Sequence, residues 1–285
     1  MFKNSAEGKR IVDEGYILGN QDTEISRLQI QADFFEPLTK QTLLNAGLKK
    51  GMSCIDIGCG SGSVTRLMAD MVGESGHVVG VDIDNRYLEY CNRSISSRQK
   101  NIEFVHGDIC KSRLDTEEER FDIAYSRFMF HHLSDRREAV RSMKHMVKKG
   151  GTIMIQDLDH APGSWLCYPD NKFVDTLRKL YVALIKNGGG DPLVGRKLYK
   201  LLMDESLNAS VDCYSPCILM GQEPYSSLGW QLAESIKPQI LEQRLQNEQE
   251  YTAMYEGLKT LANQKGSFVT YSRLFSVLGR TRQNG

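Results

Sequence analysis

Cys54-Ile55-Asp56-Ile57-Gly58-Cys59-Gly60-Ser61-Gly62, followed by Asp82 at the end of a second apolar run, Val78-Val79-Gly80-Val81, decides the fold of this chain. A short apolar run that stops at three glycines in alternate positions reads as a buried strand, a sharp turn and the start of a helix. Glycine lets the backbone turn with no Cβ in the way and lets a ligand come close to the main chain. An acid about twenty residues further on is placed to grip a ribose diol. The unit predicts a nucleoside cofactor site. Its spacing is G-x-G-x-G, whereas the dinucleotide fingerprint G-x-G-x-x-G has its third glycine one place later, which disfavours a nicotinamide-dependent dehydrogenase.

Outward from this unit, strand and helix patterns alternate as in a parallel sheet with helices on both faces. The strands are predicted at 53–57, 77–82, 102–106, 121–125 and 151–156, with helices at 62–73, 85–99 and 135–148 between them. Ser134 is the expected N-cap of the last of these helices and Gly150 its expected stop. Residues 163–206 read as helices interrupted by the turn signal Asn187-Gly188-Gly189-Gly190-Asp191-Pro192. A sixth strand is expected at Ala209-Ser210-Val211-Asp212-Cys213-Tyr214. A polar helical stretch from about 224 to 263 follows, its charges facing solvent. The chain then runs into an extended β-branched and aromatic segment from Ser267 to Gly279.

Taken in order, these motifs resemble those of class I S-adenosylmethionine-dependent methyltransferases of the small-molecule type, over roughly residues 45 to 160. The resemblance implies that Asp56, Gly58, Cys59, Gly60 and Gly62 wrap the methionine part of S-adenosylmethionine, that Asp82 binds both ribose hydroxyls and that Ile83 lies against the adenine. Val105-His106-Gly107-Asp108-Ile109 resembles the family's third strand and acidic loop. There Gly107 and Asp108 would border the adenine, with Asp108 accepting from its amino group and Ile109 donating a backbone N–H. Phe121-Asp122-Ile123-Ala124-Tyr125-Ser126 leads into Arg127-Phe128-Met129-Phe130-His131-His132-Leu133, like the segment beside the methyl donor, so Ser126 and Arg127 join the implied cofactor contacts. The run from Val147 to Asp157 is a fifth match, with Lys149 where a proline is usual.

The leader carrying Tyr16-Ile17-Leu18-Gly19, Glu24, Arg27, Leu28, Gln31 and Phe34-Phe35 resembles one that covers the cofactor in this group. Glu24, Arg27, Leu28 and Gln31 share one helical face, so Tyr16, Arg27 and Gln31 are candidate cofactor contacts. The alternative is an amphipathic helix in which Arg27 pairs with Glu24. The implied architecture is α/β: a Rossmann-like, seven-stranded sheet, mostly parallel with an antiparallel last strand at 267–279, plus helical cap insertions. Its parts are an N-terminal helical lid (1–45), a cofactor-binding core (46–160), a helical cap insertion (161–207) and the remaining strands (208–285) with a helical insertion at about 224–263.

The residue types suit this chemistry. Carboxylates at Asp82 and Asp108 accept charge-assisted hydrogen bonds from ribose hydroxyls and an adenine amino group, while Asp56 orders the glycine turn or touches the ligand. Methyl transfer from a sulfonium needs positioning and exclusion of water, and a base only when the nucleophile must lose a proton. The candidate catalytic residues are His131, His132 and Asp157, with Asp159 and His160 beside them. Phe128-Met129-Phe130 and Trp165-Leu166-Cys167-Tyr168 either line a pocket for an apolar or aromatic small-molecule acceptor or belong to the core. Two other readings stand beside methyl transfer: a methyltransferase-fold enzyme that uses bound cofactor for a non-methylating reaction such as cyclisation, and a non-catalytic partner that docks through 224–263.

Composition narrows the class further. The 285 residues carry 36 basic and 36 acidic side chains, so no basic excess marks a nucleic-acid binder. The first ten residues lack the apolar core of a signal peptide and no apolar run reaches membrane-spanning length, so a cytoplasmic protein with no membrane partner is expected. Seven cysteines at 54, 59, 91, 110, 167, 213 and 217 show no framework spacing and read as free thiols. Cys213-x-x-x-Cys217 has no accompanying pair or His motif, so no metal is expected. The helical additions are candidate surfaces for a homodimer.

Overall fold

A computed structural model describes residues 21–95, 99–110 and 119–282. A long helix, α1 (Gln21–Asn45), precedes an alternation of β1 (Ser53–Ile57), α2 (Ser63–Val72), β2 (His77–Asp82), α3 (Asn85–Ser94), β3 (Ile102–His106), β4 (Phe121–Arg127), α4 (Arg136–Met146) and β5 (Val147–Asp159). With β7 (Asn208–Tyr214) and β10 (Arg273–Arg280), these strands form one seven-stranded sheet in the order β3-β2-β1-β4-β5-β10-β7. The pairs among the first five strands are parallel, and β10 is antiparallel to both β5 and β7. Such a sheet is covered on both faces, so alternate residues of one strand enter different cores. Ile55, Ile57, Ile153 and Ile155 pack on one side with α4, whereas Cys54, Tyr125 and Met154 pack on the other with Leu43 and Met68.

Strand order also places the ligand cleft. The chain leaves β1 toward β2 on one side and returns to β4 on the other, and the loops at the carboxyl ends of these strands open a crevice there. Gly62 ends the turn after β1 at φ 73°. A Cβ at Gly62 would lie 2.8 Å from the Phe104 ring and 2.9 Å from Cys91 Sγ, so this glycine lets α2 sit close to β3 and α3.

Several boundaries differ from expectation for local reasons. The N-cap of α4 is Asp135, which accepts from the Glu138 N–H at 3.0 Å, and not Ser134. Gly150 does not stop that helix; α4 ends at Met146 and the chain passes directly into β5. Val147 pairs with Phe121 and Thr152 with Ile123, so residues 148–151, Gly150 among them, form an irregularity within the strand. The helix expected at 85–99 ends at Ser94.

The rest of the chain builds a cap. It contains β6 (Cys167–Tyr168), α5 (Lys172–Asn187), β8 (Cys217–Leu219), α7 (Leu228–Glu242), α8 (Glu248–Ala262) and β9 (Phe268–Thr270), whereas α6 (Leu198–Asp204) packs on the main sheet through Leu198 and Leu202. The stretch 224–263 is thus two helices, and each buries one face, contrary to a wholly solvated reading. Leu232, Ile236 and Ile240 of α7 meet Tyr251, Met254 and Leu258 of α8 and Leu177 and Leu184 of α5 in a separate apolar core. Burying each such leucine or isoleucine contributes about 1.5–3 kcal/mol. The extended segment after 266 also divides: β9 joins β6 and β8 in a small antiparallel sheet, and only β10 enters the main sheet. Among the described residues no helix is long and apolar enough to cross a membrane.

Candidate active site

At the carboxyl ends of β1, β2 and β4, under α1, lies a cavity of about 270 Å³. Its walls include Asp56 and the turn Gly58, Cys59, Gly60 and Ser61, then Asp82, Ile83 and Asp84, then Gly107, Asp108 and Ile109, then Arg127, Phe128 and Met129. Asp82 ties two of these loops together: Oδ2 accepts from the Gly60 N–H at 2.8 Å and Oδ1 from the Asp84 N–H at 2.9 Å. Burial raises its pKa, and those N–H donors pull the other way without cancelling the rise. Asp108 Oδ1 accepts from the Cys110 N–H at 2.9 Å, which fixes the loop after β3. Gly60 has φ 51°, and a Cβ there would meet no atom within 4 Å. Because Gly60 lines the cavity, that Cβ would stand in space a ligand can use, as expected of a loop that lets a ligand touch the backbone.

Asp56 lies deeper. Its carboxylate is 2 % exposed and accepts from Thr65 Oγ1 at 2.7 Å, and burial pushes its pKa up to about 6. Arg127 donates through Nη1 to Thr39 Oγ1 at 2.8 Å and stands over the Phe128 ring. The cavity wall therefore combines the carboxylates of Asp56, Asp82, Asp84 and Asp108 and the Arg127 guanidinium with apolar side chains, Phe128, Met129 and Leu133 together with Leu28 and Ala32 of α1.

Helix α1 separates two residues that share its face. Gln31 lines the cavity and donates through Nε2 to the Tyr271 hydroxyl. Arg27 does not line it: Nε donates to Glu24 Oε2 at 2.8 Å and Nη2 to Oε1 at 2.5 Å. Glu24 also accepts from Ser235 Oγ at 2.8 Å, tying α1 to α7. Arg27 and Glu24 are 4 % and 1 % exposed. Burial alone would lower the guanidinium pKa, but the charge and hydrogen bonds of Glu24 override it and the net direction is up. Gly62 and Ser126 also stay out of the cavity wall; Gly62 is packed against Phe104, and Ser126 is fully buried with no hydrogen-bond partner for Oγ among the described residues. Tyr16 lies outside the described residues.

Of the three candidate catalytic residues, only His132 lines the cavity. His131 is buried behind it, the two rings 3.9 Å apart. Asp157 anchors His131, with Oδ1 2.6 Å from His131 Nδ1 and Oδ2 accepting from the His131 N–H at 3.2 Å. The hydroxyl of Tyr181 is 3.4 Å from His131 Nε2. Burial, and next the neighbouring His131, lowers the pKa of both His132 and His160 well below the usual imidazole value. His160 Nδ1 is 2.6 Å from Ser272 Oγ, and Asp159 pairs with Arg196. Sequence reasoning missed Asp84, Ser61 and Ser63 in the wall; Asp84 caps α3 through the Arg86 N–H, and the D-x-D spacing with Asp82 was the available signal.

Comparison with known proteins agrees with this geometry. The family model described as a methyltransferase domain matches residues 54–151. Demethylmenaquinone methyltransferase of Staphylococcus aureus (strain MRSA252) is 30% identical over 115 residues, covering 40% of this chain and 46% of that protein. The chain thus spans less than half the length of the curated relatives it matches. A SAM dependent methyltransferase from Aquifex aeolicus shares the fold, with TM-score 0.51 and 20% identity over 69% of this chain and 93% of the other. So does phosphoethanolamine N-methyltransferase 2 of Haemonchus contortus, solved with phosphomonomethylethanolamine and S-adenosylhomocysteine, with TM-score 0.54 and 15% identity over 90% of this chain and 58% of the other.

Proposed function

We propose that this chain, whose residues 54–151 match a methyltransferase-domain model, is a class I methyltransferase that binds S-adenosylmethionine in the cavity at the ends of β1, β2 and β4 and methylates a small aromatic or otherwise apolar acceptor. The observation that carries the reading is the Asp82 carboxylate, held by the Gly60 and Asp84 N–H groups at the cavity wall beside a glycine turn whose missing Cβ leaves room for a ligand. The name of the Staphylococcus aureus relative favours a quinone-type acceptor, and Phe128, Met129, Leu133, Leu28 and Ala32 make a wall suited to such a ring.

S-adenosylmethionine, when bound, supplies a methyl group already activated on a sulfonium. Asp82 accepts from ribose hydroxyls and Asp108 from the adenine amino group. Arg127 offers positive charge to the methionyl carboxylate, and ionised Asp56 offers negative charge to the cationic end of the same ligand. Phe128, Met129 and Leu133 exclude water from the acceptor. His132, kept neutral by burial, presents imidazole at the wall as a hydrogen-bond acceptor for a hydroxyl of the acceptor, and the His131–Asp157 pair behind it fixes its position.

Calorimetric titration with S-adenosylmethionine, S-adenosylhomocysteine and NAD tests the reading. Binding of the first two and not of NAD is expected; folded protein that binds neither would overturn it.

A further inference from the structure

A second cavity, of about 60 Å³, lies inside the cap and takes in Trp165 of the aromatic stretch 165–168, but none of the glycine-turn or acidic-loop residues. Its wall is apolar: Leu177 of α5, Ile218 of β8, Leu232 of α7, Leu258 of α8, and the rings of Trp165 and Trp230. Two observations connect it to the first cavity. Tyr271, in its wall, takes the hydrogen bond of Gln31, which is in the wall of the other, so this single pair stands where the two spaces meet. Around the pair, Phe34, Phe35, Phe128 and Tyr271 form a cluster of rings with centroids 4.9 to 6.5 Å apart, and Phe128 itself faces the first cavity. Among the polar side chains in its wall, Ser226 stands apart. Ser226 is 3 % exposed and its Oγ finds no hydrogen-bond partner among the described residues. A buried hydroxyl without a partner carries a desolvation cost that a ligand atom can relieve.

We infer that the cap cavity is a subsite for the apolar arm of the methyl acceptor, with Gln31 and Tyr271 as the divide between the reacting head and that arm. The inference rests on the methyltransferase reading and narrows its substrate class: a compact head bearing the nucleophile, joined to a hydrocarbon or aryl substituent. The apolar arm matches the wall by transfer of apolar surface out of water, and a cavity of this size takes a short chain or the first segment of a longer one.

The chain contains two tryptophans, and both line this cavity, so tryptophan emission reports on its occupancy. The probes are phenol and 4-butylphenol, titrated into protein saturated with S-adenosylhomocysteine. Each methylene that enters the cavity strengthens binding about fourfold, so 4-butylphenol is expected to bind roughly fifty-fold or more tightly than phenol. Gly229 is in the cavity wall near the start of α7, and a Cβ built there meets no atom within 4 Å. Gly229→Leu places a branched side chain at this wall, starting from a Cβ that meets no neighbour; it should remove the chain-length preference and leave S-adenosylhomocysteine affinity unchanged. Ser226→Val is the second occluding variant, since Ser226 Oγ makes no hydrogen bond to lose. Equal affinities for the two phenols, or a preference that survives both variants, would overturn the subsite alone. Wild-type protein that folds but does not bind S-adenosylhomocysteine would overturn the acceptor assignment together with the function.

Discussion

Asp56→Asn should make this protein more stable at neutral and alkaline pH while weakening its hold on the cofactor. Asp56 is fully buried at the end of β1, with burial as the main influence on its carboxyl and the Thr65 hydroxyl as its hydrogen-bond donor. Its pKa rises from the ordinary 3.8 to about 6, so the native state binds this proton more tightly than the unfolded chain does. The contribution to stability is then complete below pH 3.8 and is lost as pH rises through about 6. Above that, folding must bury the charge, at a cost of about 3 kcal/mol for a gap of a little over two pH units. Asparagine keeps an oxygen for Thr65 and removes the charge. Urea unfolding at pH 8 should show the variant more stable by up to about 3 kcal/mol, and at about pH 4 the difference should shrink toward zero. Calorimetry at pH 8 should show weaker S-adenosylmethionine binding, because the cationic ligand loses a carboxylate. A variant less stable than its parent at pH 8, or a gap of the same size at both pH values, would refute the assignment of the cost to the buried charge.

Three further outcomes follow from the site. Asp82→Ala should weaken S-adenosylhomocysteine affinity about a hundredfold by removing charge-assisted bonds to the ribose, with stability down only about 1–2 kcal/mol for the two backbone donors left behind; calorimetry paired with urea melts measures both, and unchanged affinity would sink the ribose role. Glu24→Ala strands the Arg27 guanidinium in the interface between α1 and α7 and should cost about 3–5 kcal/mol in the same melts, whereas Glu24→Leu combined with Arg27→Leu should recover most of it; a single variant as stable as its parent would show the pair to be solvated. His132→Ala should lower kcat at least about tenfold with the S-adenosylhomocysteine Kd unchanged, and because the His132 pKa is lowered, kcat should show no titration of this group between about pH 6.5 and 8; an equal loss of cofactor affinity would place His132 on the donor side instead.

The glycine-turn half of the cavity was legible because its structure is local. Asp56, Gly58, Gly60 and Asp82 follow from a strand, a turn and the next strand, and the parallel pairing of β1 with β2 sets them together whatever the rest of the chain does. The wall built by α1 depends on partners far apart in sequence. Arg27 and Gln31 share a helix face, but Arg27 finds an acid three residues away while Gln31 finds a tyrosine 240 residues away, and no periodicity distinguishes those outcomes. The stretch 224–263 reads as solvated because Glu and Gln dilute its apolar positions; Leu232, Ile236 and Leu258 find a core only when α5, α7 and α8 come together. The last apolar segment reads as one strand since nothing between Thr270 and Arg273 breaks the pattern. The chain changes sheets there, however, and Tyr271 and Ser272 turn inward to meet Gln31 and His160.

That division has a consequence for how specificity is built. The glycine turn and Asp82 belong to a sheet whose strands are paired over their length, so on the proposed function the donor side is anchored independently of the cap. The acceptor side is a seam between three pieces: α1, the end of β4, and the link from β9 to β10. Hydrogen bonds from Gln31 to Tyr271 and from Ser235 to Glu24 hold α1 to the cap. Their energies are unequal. Gln31 to Tyr271 is a neutral bond of about 1 kcal/mol, while Glu24 belongs to a buried ion pair whose disruption costs several times more. The seam is therefore pinned at Glu24 and yields first at Gln31, in the wall of the cavity proposed to take the acceptor. Altering acceptor preference through Gln31 or Tyr271 should leave the fold and the donor site intact, whereas the same attempt at Arg27 or Glu24 should release the lid.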